Sequence, residues 1–510
     1  MKDEIATFQA TPRQLAILQL AVLVVAICAI IYELIIATVS SYLLGDSVYQ
    51  FSITIGLFMF AMGLGSYVTK LLTRHLLTTF LAVELILAAI GGTCSTTLFL
   101  VFPYGTAYRP TMYVLTILIG MMVGLEIPIL LRILAERGGV RKSVAHVLSL
   151  DYIGALIGSV SFPLLLLPDL GLFRSSFAIG LLNIAVAFAT LLAFRKQIPR
   201  AGLFAAATAL LAIGLAAGAV FAITLTSFAE GQLYRERIVY LQQTPYQRIV
   251  VTNDDRTNVP AMYLDGHLQF DGRDEYRYHE GLVHPLLSMP GGRASVLILG
   301  GGDGMAAREV LRYDDVQSVT LVDIDPAVTE FCRTFPAIRE LNRGALDDPR
   351  LTVVHTDAFQ FVRACEQRFD RIVLDLPDPH NEALAKLYSV EFYRMLKSVL
   401  HRSGALVTQS TSPLHSRRAF SSIRATLSAA DFLPLSYHLQ IPSFGPWGFH
   451  LAALQRQPSM PAMQLETQFL HAELLQAATV FGNDEAPVDG VVNSIFEPKL
   501  YELYNRANEK

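Results

Sequence analysis

The chain is poor in charge, in cysteine and in tryptophan. Of its 510 residues, 16% are Asp, Glu, Lys or Arg, against about 25% in an ordinary soluble domain. With 52% hydrophobic residues, that scarcity excludes a disordered chain and fits a wholly soluble one badly. The net charge of −4 gives no whole-chain attraction for nucleic acid. The four cysteines, Cys28, Cys94, Cys332 and Cys365, have no paired spacing. A disulfide scaffold and a zinc cluster are therefore unsupported, and reduced thiols are the default. Internal repeats and low-complexity tracts are also absent from the sequence.

The mean hydropathy is +0.42, and the apolar residues are concentrated in the first half. Between Arg13 and Lys70 the charged residues are Glu33 and Asp46 alone. Spanning stretches fall near 14–40, 50–69, 77–102, 111–131, 145–167, 175–194 and 203–227. Each meets or approaches the ~20 apolar residues that a bilayer core requires. The first is too long for a signal peptide and lacks a small-residue cleavage site. Eleven Lys and Arg (Lys2, Arg13, Lys70, Arg74, Arg132, Arg137, Arg141, Lys142, Arg195, Lys196 and Arg200) fall on one side of this pattern, against Arg109 and Arg174 on the other. The excess predicts a cytoplasmic N-terminus. Seven spans then put everything after residue 230 on the opposite face. Glu33, Glu84, Glu126 and Asp151 lie in or near the spans, with no base at similar depth. Such acids are either interfacial or protonated hydrogen-bonders, or they line a path for cations.

From about residue 230 charges become dense and turns frequent. Segments 237–241, 247–252, 261–265 and 267–270 read as antiparallel strands, with Asp265-Gly266 as a hairpin turn. Apolar runs at 295–299, 318–322, 351–355, 371–375 and 405–409 then alternate with helical patterns near 303–313, 326–334, 358–366 and 388–400. That rhythm predicts a mostly parallel sheet with helices on both faces. Residues after 457 read as a polar connector with short terminal helices. The expected architecture is a multi-span α-helical membrane domain (1–229), followed by an α/β Rossmann-like, methyltransferase-type domain (291–456) with a small N-terminal β-subdomain (230–290) and a C-terminal tail (457–510).

The run Val296 to Gly304 enters a Gly-rich turn, Gly300-Gly301-Gly302-Asp303-Gly304, directly from a strand. Glycine permits the sharp turn and the close approach of a ligand. The next strand ends at Asp323, placed to accept both hydroxyls of an adenosine ribose. A third ends at Asp357-Ala358, where an acid can receive the adenine amino group. Three acids at three successive strand ends predict a nucleoside site. Asp303 would repel a pyrophosphate, and equally the carboxylate of S-adenosylmethionine. It would attract an amine, so the loop suits an adenosyl sulfonium that has lost its carboxylate.

The fourth strand ends in Asp375-Leu376-Pro377-Asp378, at the edge that faces the ligand crevice in open α/β sheets. Beside Asp303, these two acids make a negative pocket suited to a diamine. A protonated amine also needs a base before it can attack, and a carboxylate can serve. Tyr278-His279-Glu280 either starts a surface helix or supplies polar groups to the pocket mouth. His279 and His284 lack a matching third ligand, so no metal site is expected.

Residues ~240–455 resemble the spermidine synthase (polyamine aminopropyltransferase) family. The resemblance is carried by Tyr246-Gln247, Leu264 to Gln269, Asp274-Glu275, Tyr278-His279-Glu280, Gly300 to Gly304, Arg308 to Leu311, Val322 to Asp325, Asp347 to Arg350, Asp375, Asp378-Pro379, Leu387-Tyr388-Ser389 and Glu391-Phe392-Tyr393, with Gln409 fitting the strand that follows. The whole chain looks like the bacterial membrane-fused members. The resemblance implies that Gln247, Gly300, Gly302, Asp323, Asp357 and Ala358 hold the donor or methylthioadenosine. It implies that Gln269, His279, Asp303 and Asp378 hold the amines, that Asp375 accepts the proton, and that Tyr278 orients the attacking amine. Three positions depart from the family pattern: Asp323 stands for the usual Glu, His380-Asn381-Glu382 replaces Gly-Pro, and Phe444 stands where a tyrosine is frequent.

The implied reaction moves an aminopropyl group from decarboxylated S-adenosylmethionine to putrescine, with no metal or second cofactor. Rival readings are an S-adenosylmethionine methyltransferase and a membrane polyamine transporter or sensor. The expected partners are the two substrates and the lipid bilayer, with a homodimer left open and no nucleic acid. The expected location is the inner cell membrane, multi-pass. A donor made in the cytosol conflicts with the seven-span count, so the side faced by the catalytic domain stays open.

Overall fold

The computed structural model describes residues 11–44, 47–138, 140–222, 234 and 236–508. Lys2, residues 223–227 of the last expected span and the expected boundary at 229/230 lie outside the described residues. The chain forms two compact units, Met1–Arg235 and Glu236–Lys510.

Seven long helices make up the first unit among its described residues: α1 (Pro12–Leu44), α2 (Ser47–Val68), α3 (Leu76–Val101), α4 (Tyr108–Gly138), α5 (Val140–Ser161), α6 (Leu167–Phe194) and α7 (Ala201–Val220). By length and composition, five apolar helical stretches could cross a membrane. Two of them contain a pair of helices each: Leu76–Ala135 holds α3 and most of α4, and Ser143–Phe194 holds α5 and α6. Non-helical backbone at Gly105 and Gly171 breaks these long stretches. Glycines let the helices approach closely. A Cβ at Gly120 or Gly124 would strike the α2 backbone at Phe58 or Met62, and one at Gly154 or Gly158 would strike α1 at Leu23 or Ile27. Both are small-xxx-small pairs of the kind that pack helices in lipid. The outer surface is apolar, with Leu156, Leu210 and Ile213 each about two-thirds exposed.

Of the four acids of the spans, Glu84 and Glu126 lie within electrostatic reach of each other. Glu84 is buried and accepts from Asn183 Nδ2 at 2.8 Å, while the Tyr32 hydroxyl donates to Asn183 Oδ1 at 3.2 Å. Glu126 and Glu33 are buried too, and Asp151 is half-buried. Asn183→Leu should strand both Glu84 and Tyr32. It is expected to cost about 1–3 kcal/mol per buried group left unpaired, read as a fall in Tm of the detergent-solubilised protein. An unchanged Tm would show that the Asn183 bridge contributes nothing.

The second unit opens with an antiparallel sheet, β1 (Arg237–Gln243), β2 (Arg248–Asn253), β3 (Pro260–Leu264) and β4 (His267–Asp271), in sequential order. Asp265 and Gly266, both at positive φ, form the expected turn. The helix Glu275–Leu287 follows. The main sheet contains β5 (Ser295–Gly300), β6 (Ser318–Asp323), β7 (Leu351–His355), β8 (Phe369–Asp375), β9 (Leu400–Gln409), β10 (Leu433–Ile441) and β11 (Gly445–Ala453), ordered β10-β11-β9-β8-β5-β6-β7. The five strands β5 to β9 pair in parallel, as the alternating rhythm predicted, and β10–β11 adds an antiparallel hairpin at one edge.

The tail carries the short helices Ala472–Ala477 and Leu500–Asn508 and is fastened across this unit. The Glu280 carboxylate accepts the backbone N–H groups of Gln468, Phe469 and Leu470 at 2.7–2.9 Å. Asn493 and Leu500 are buried. A glutamate that accepts three amides is a strong local clamp. Glu280→Ala should lower stability by about 2 kcal/mol and open the segment near residue 468 to protease. A digestion pattern identical to wild type would remove the clamp.

Candidate active site

The carboxyl ends of β5, β6 and β8 and the helix Glu275–Leu287 surround a cavity of about 550 Å³, a size typical of small-ligand sites. Every residue singled out for the donor, the amines or the proton lines it: Gln247, Gln269, Tyr278, His279, Gly300, Gly302, Asp303, Asp323, Asp357, Ala358, Asp375 and Asp378.

Its floor is the glycine turn. Gly300 sits at φ +82°, and a Cβ there would collide with the Asp375 carbonyl oxygen. A Cβ at Gly302 would meet the Asp323 carboxylate, to which the Gly302 N–H donates at 3.1 Å. Asp323 takes the Asp325 N–H on its other oxygen at 2.9 Å. Burial pushes Asp323 up to about 6. The Gln247 amide donates to Asp325 at 3.1 Å. Asp357 caps the helix Ala358–Ala364 through the Gln360 N–H and meets Lys386 Nζ at 2.7 Å. Lys386 was not anticipated as its partner.

The opposite side gathers acids. Asp375, at the end of β8, accepts the Tyr278 hydroxyl at 2.7 Å. Burial raises its pKa, and the positive charge of His279 works against that rise. Asp303 is buried at the start of the helix Met305–Val310, with its Oδ1 on the Met305 N–H at 2.8 Å. Burial carries it to about 6, opposed by His279. Asp378 takes Gln409 Nε2 at 3.2 Å on one oxygen and the Tyr504 hydroxyl at 2.9 Å on the other. Gln409 also donates to the Leu376 carbonyl at 2.7 Å, which fixes the loop carrying Asp378.

His279 lines the cavity and is held by a carboxylate of its own helix. Its Nδ1 lies 2.8 Å from Glu275 Oε2, and Glu275 is held in turn by both terminal nitrogens of Arg308 at 2.8 and 3.0 Å. Burial would lower the histidine's pKa, but Glu275, Asp303 and Asp375 outweigh it and carry it to about 9. A positive charge on the imidazole would steady the neighbouring carboxylates. Glu280 faces the tail, and His284 bonds Glu309 and the Tyr313 hydroxyl, both at 2.9 Å. Arg308 and Glu309 are thus the wiring behind the helix that carries Tyr278. Phe444 and Trp447 form an aromatic wall, with ring centroids 4.9 Å apart. His267 and His380 stack at 4.3 Å on another side of the cavity.

Sequence reasoning missed Glu275 as the partner of His279, Lys386 as the partner of Asp357, and Tyr504. Glu275 lies one helical turn before His279, a spacing that signals contact. Nothing local to Tyr504 marks it.

Residues 275–464 match the spermine/spermidine synthase domain. A polyamine aminopropyltransferase of Leptospira interrogans is 39% identical over 96% of this chain and 98% of its own. One from Streptomyces coelicolor is 40% identical over 95% and 93%. The crystal structure of spermidine synthase from Thermotoga maritima is similar at 27% identity and TM-score 0.44, covering 48% of this chain and 85% of that one. With relatives aligned along almost their full length, helical half included, the chain belongs to the polyamine aminopropyltransferase family.

Proposed function

We propose that this aminopropyltransferase uses decarboxylated S-adenosylmethionine as donor and putrescine as acceptor, giving spermidine and methylthioadenosine. The observation that carries the reading is the division of the cavity: the glycine turn and Asp323 on one side, and Asp303, Asp375 and Asp378 on the other. The first side suits a nucleoside, with Asp323 toward the ribose and Asp357-Ala358 toward the base. Gln247 and Gln269 add amides to the same cavity. The acids suit cationic groups: Asp303 the donor's amine, Asp378 the far ammonium of the acceptor.

Asp375 takes a proton from the near ammonium while the Tyr278 hydroxyl keeps its carboxylate in place. The freed lone pair attacks the aminopropyl carbon beside the sulfonium. The C–S bond breaks, its electrons pass to sulfur, and the positive charge moves to nitrogen. The sulfonium already makes that carbon electrophilic, so the reaction needs orientation and proton removal. His279, held cationic by Glu275, keeps Asp303 and Asp375 ionised. The helical unit holds the enzyme in the cell membrane.

Purified full-length protein given both substrates should form methylthioadenosine and spermidine in equal amounts. Methylated product from S-adenosylmethionine would instead support a methyltransferase, and binding without turnover would support a sensor. The pH dependence has a definite sign. Asp303 and Asp378, each raised to about 6, lose their charge as pH falls through that value. Below it the donor KM should rise roughly tenfold per pH unit through Asp303, and the acceptor KM likewise through Asp378. A donor KM that stays flat to pH 5 would remove Asp303 from amine binding, and a flat acceptor KM would remove Asp378.

A further inference from the structure

The domain match ends at residue 464, yet a residue of the tail lines the cavity, Tyr504. It sits on the helix Leu500–Asn508. That helix is seated by buried Leu500, whose N–H donates to Asn493 Oδ1 at 3.2 Å. The Asn493 amide in turn donates to the carbonyls of Ala385 at 2.8 Å and Tyr388 at 3.2 Å. One residue after Tyr504, the Asn505 amide donates to the His380 carbonyl at 3.0 Å. The tail helix is therefore tied on one flank of the tyrosine to the loop that carries Asp378, and on the other to the helical segment that follows that loop. From it the Tyr504 hydroxyl reaches Asp378 Oδ2. The aromatic wall on another side, Phe444 and Trp447, has no hydroxyl.

We propose that Tyr504 is a positioning residue for the acceptor amine, supplied from outside the synthase domain, whose hydroxyl fixes the Asp378 carboxylate in the orientation that receives the acceptor's ammonium. This rests on the assignment of Asp378 to the acceptor made above. Several groups share the space: Tyr278 from the helix Glu275–Leu287, Asp375 from β8, Tyr388, and the stacked His267 and His380. Tyr278 is committed to Asp375, and Tyr388 donates to the carbonyls of Leu376 and Pro377. Gln409 remains as the donor to the other oxygen of Asp378. Burial raises the Asp378 pKa, and the Tyr504 and Gln409 donors oppose the rise. Removing one donor leaves the carboxylate less well fixed and easier to protonate.

The test compares Tyr504→Phe with Asp378→Asn and wild type, all full-length in detergent. Tyr504→Phe should raise the acceptor KM about fivefold to tenfold, with kcat and donor KM within twofold. The acidic limb of kcat/KM for the acceptor should move to higher pH. An unchanged acceptor KM, or a limb that does not move, would overturn the proposal. So would a parallel loss in Tm, kcat and both KM values, which a merely structural tyrosine would give. Asp378→Asn separates the two levels of the argument. If it leaves the acceptor KM at the wild-type value, the assignment of Asp378 itself falls. If it raises that KM and Tyr504→Phe does not, the proposal for Tyr504 alone fails.

Discussion

Asp375→Asn is expected to lower kcat by about 10²–10⁴-fold, the usual cost of losing a general base, while donor binding stays near wild type. An amide of the same shape still accepts the Tyr278 hydroxyl that lies 2.7 Å from Asp375 Oδ1. The geometry therefore survives, and the ability to take a proton does not. Burial at the β8 terminus raises the pKa of the native carboxylate, bringing it nearer to that of the amine it must deprotonate. The check is single-turnover formation of methylthioadenosine beside calorimetric titration of the donor. A variant with more than half the wild-type rate would exclude Asp375 as the base.

The second large effect belongs to Asp303. Asp303→Asn should weaken the decarboxylated donor about 10- to 100-fold, the range of a hydrogen bond to a charged group. It should also narrow discrimination against S-adenosylmethionine, because the repulsion of that molecule's carboxylate disappears with the charge. The asparagine Oδ1 can still accept the Met305 N–H, a bond of 2.8 Å in the native protein, so the turn keeps its shape. Calorimetry with the two donors separates charge from shape. Unchanged affinity for both would show that Asp303 does not read the donor.

Much of this was legible in the chain before any coordinates. Among the described residues each of the seven apolar stretches falls on a helix, because an apolar run of that length is a strong signal. The parallel strands were legible for a related reason: each is a short apolar segment, and β6 and β8 end in an acid at the crevice. The β10–β11 hairpin was not read from local pattern, although Leu433–Ile441 alternates polar and apolar residues with the period of a half-buried strand. The contents of the cavity were legible, but their wiring was not. That Lys386 occupies Asp357 and that Glu280 turns to the tail are facts about contacts between separate segments, while Glu275 meets His279 within one helix. Tyr504 is another such case, at 126 residues from the carboxylate it serves.

Such separations bear on how the second unit acquires its shape. The helix that presents Tyr278 and His279 is pinned by Tyr437, whose hydroxyl donates to the Gly281 carbonyl across 156 residues, and by the tail amides that Glu280 collects across 188 to 190. Contacts of that span must pay their loop-closure entropy before they return any energy, which slows folding. An emerging polypeptide would have β1 to β4 and the glycine turn long before the segments that lock the helix beside them. Chain order thus makes the sheet early and the constellation of acids late. Fragments ending before the hairpin would carry the motifs without the groups that hold them in register.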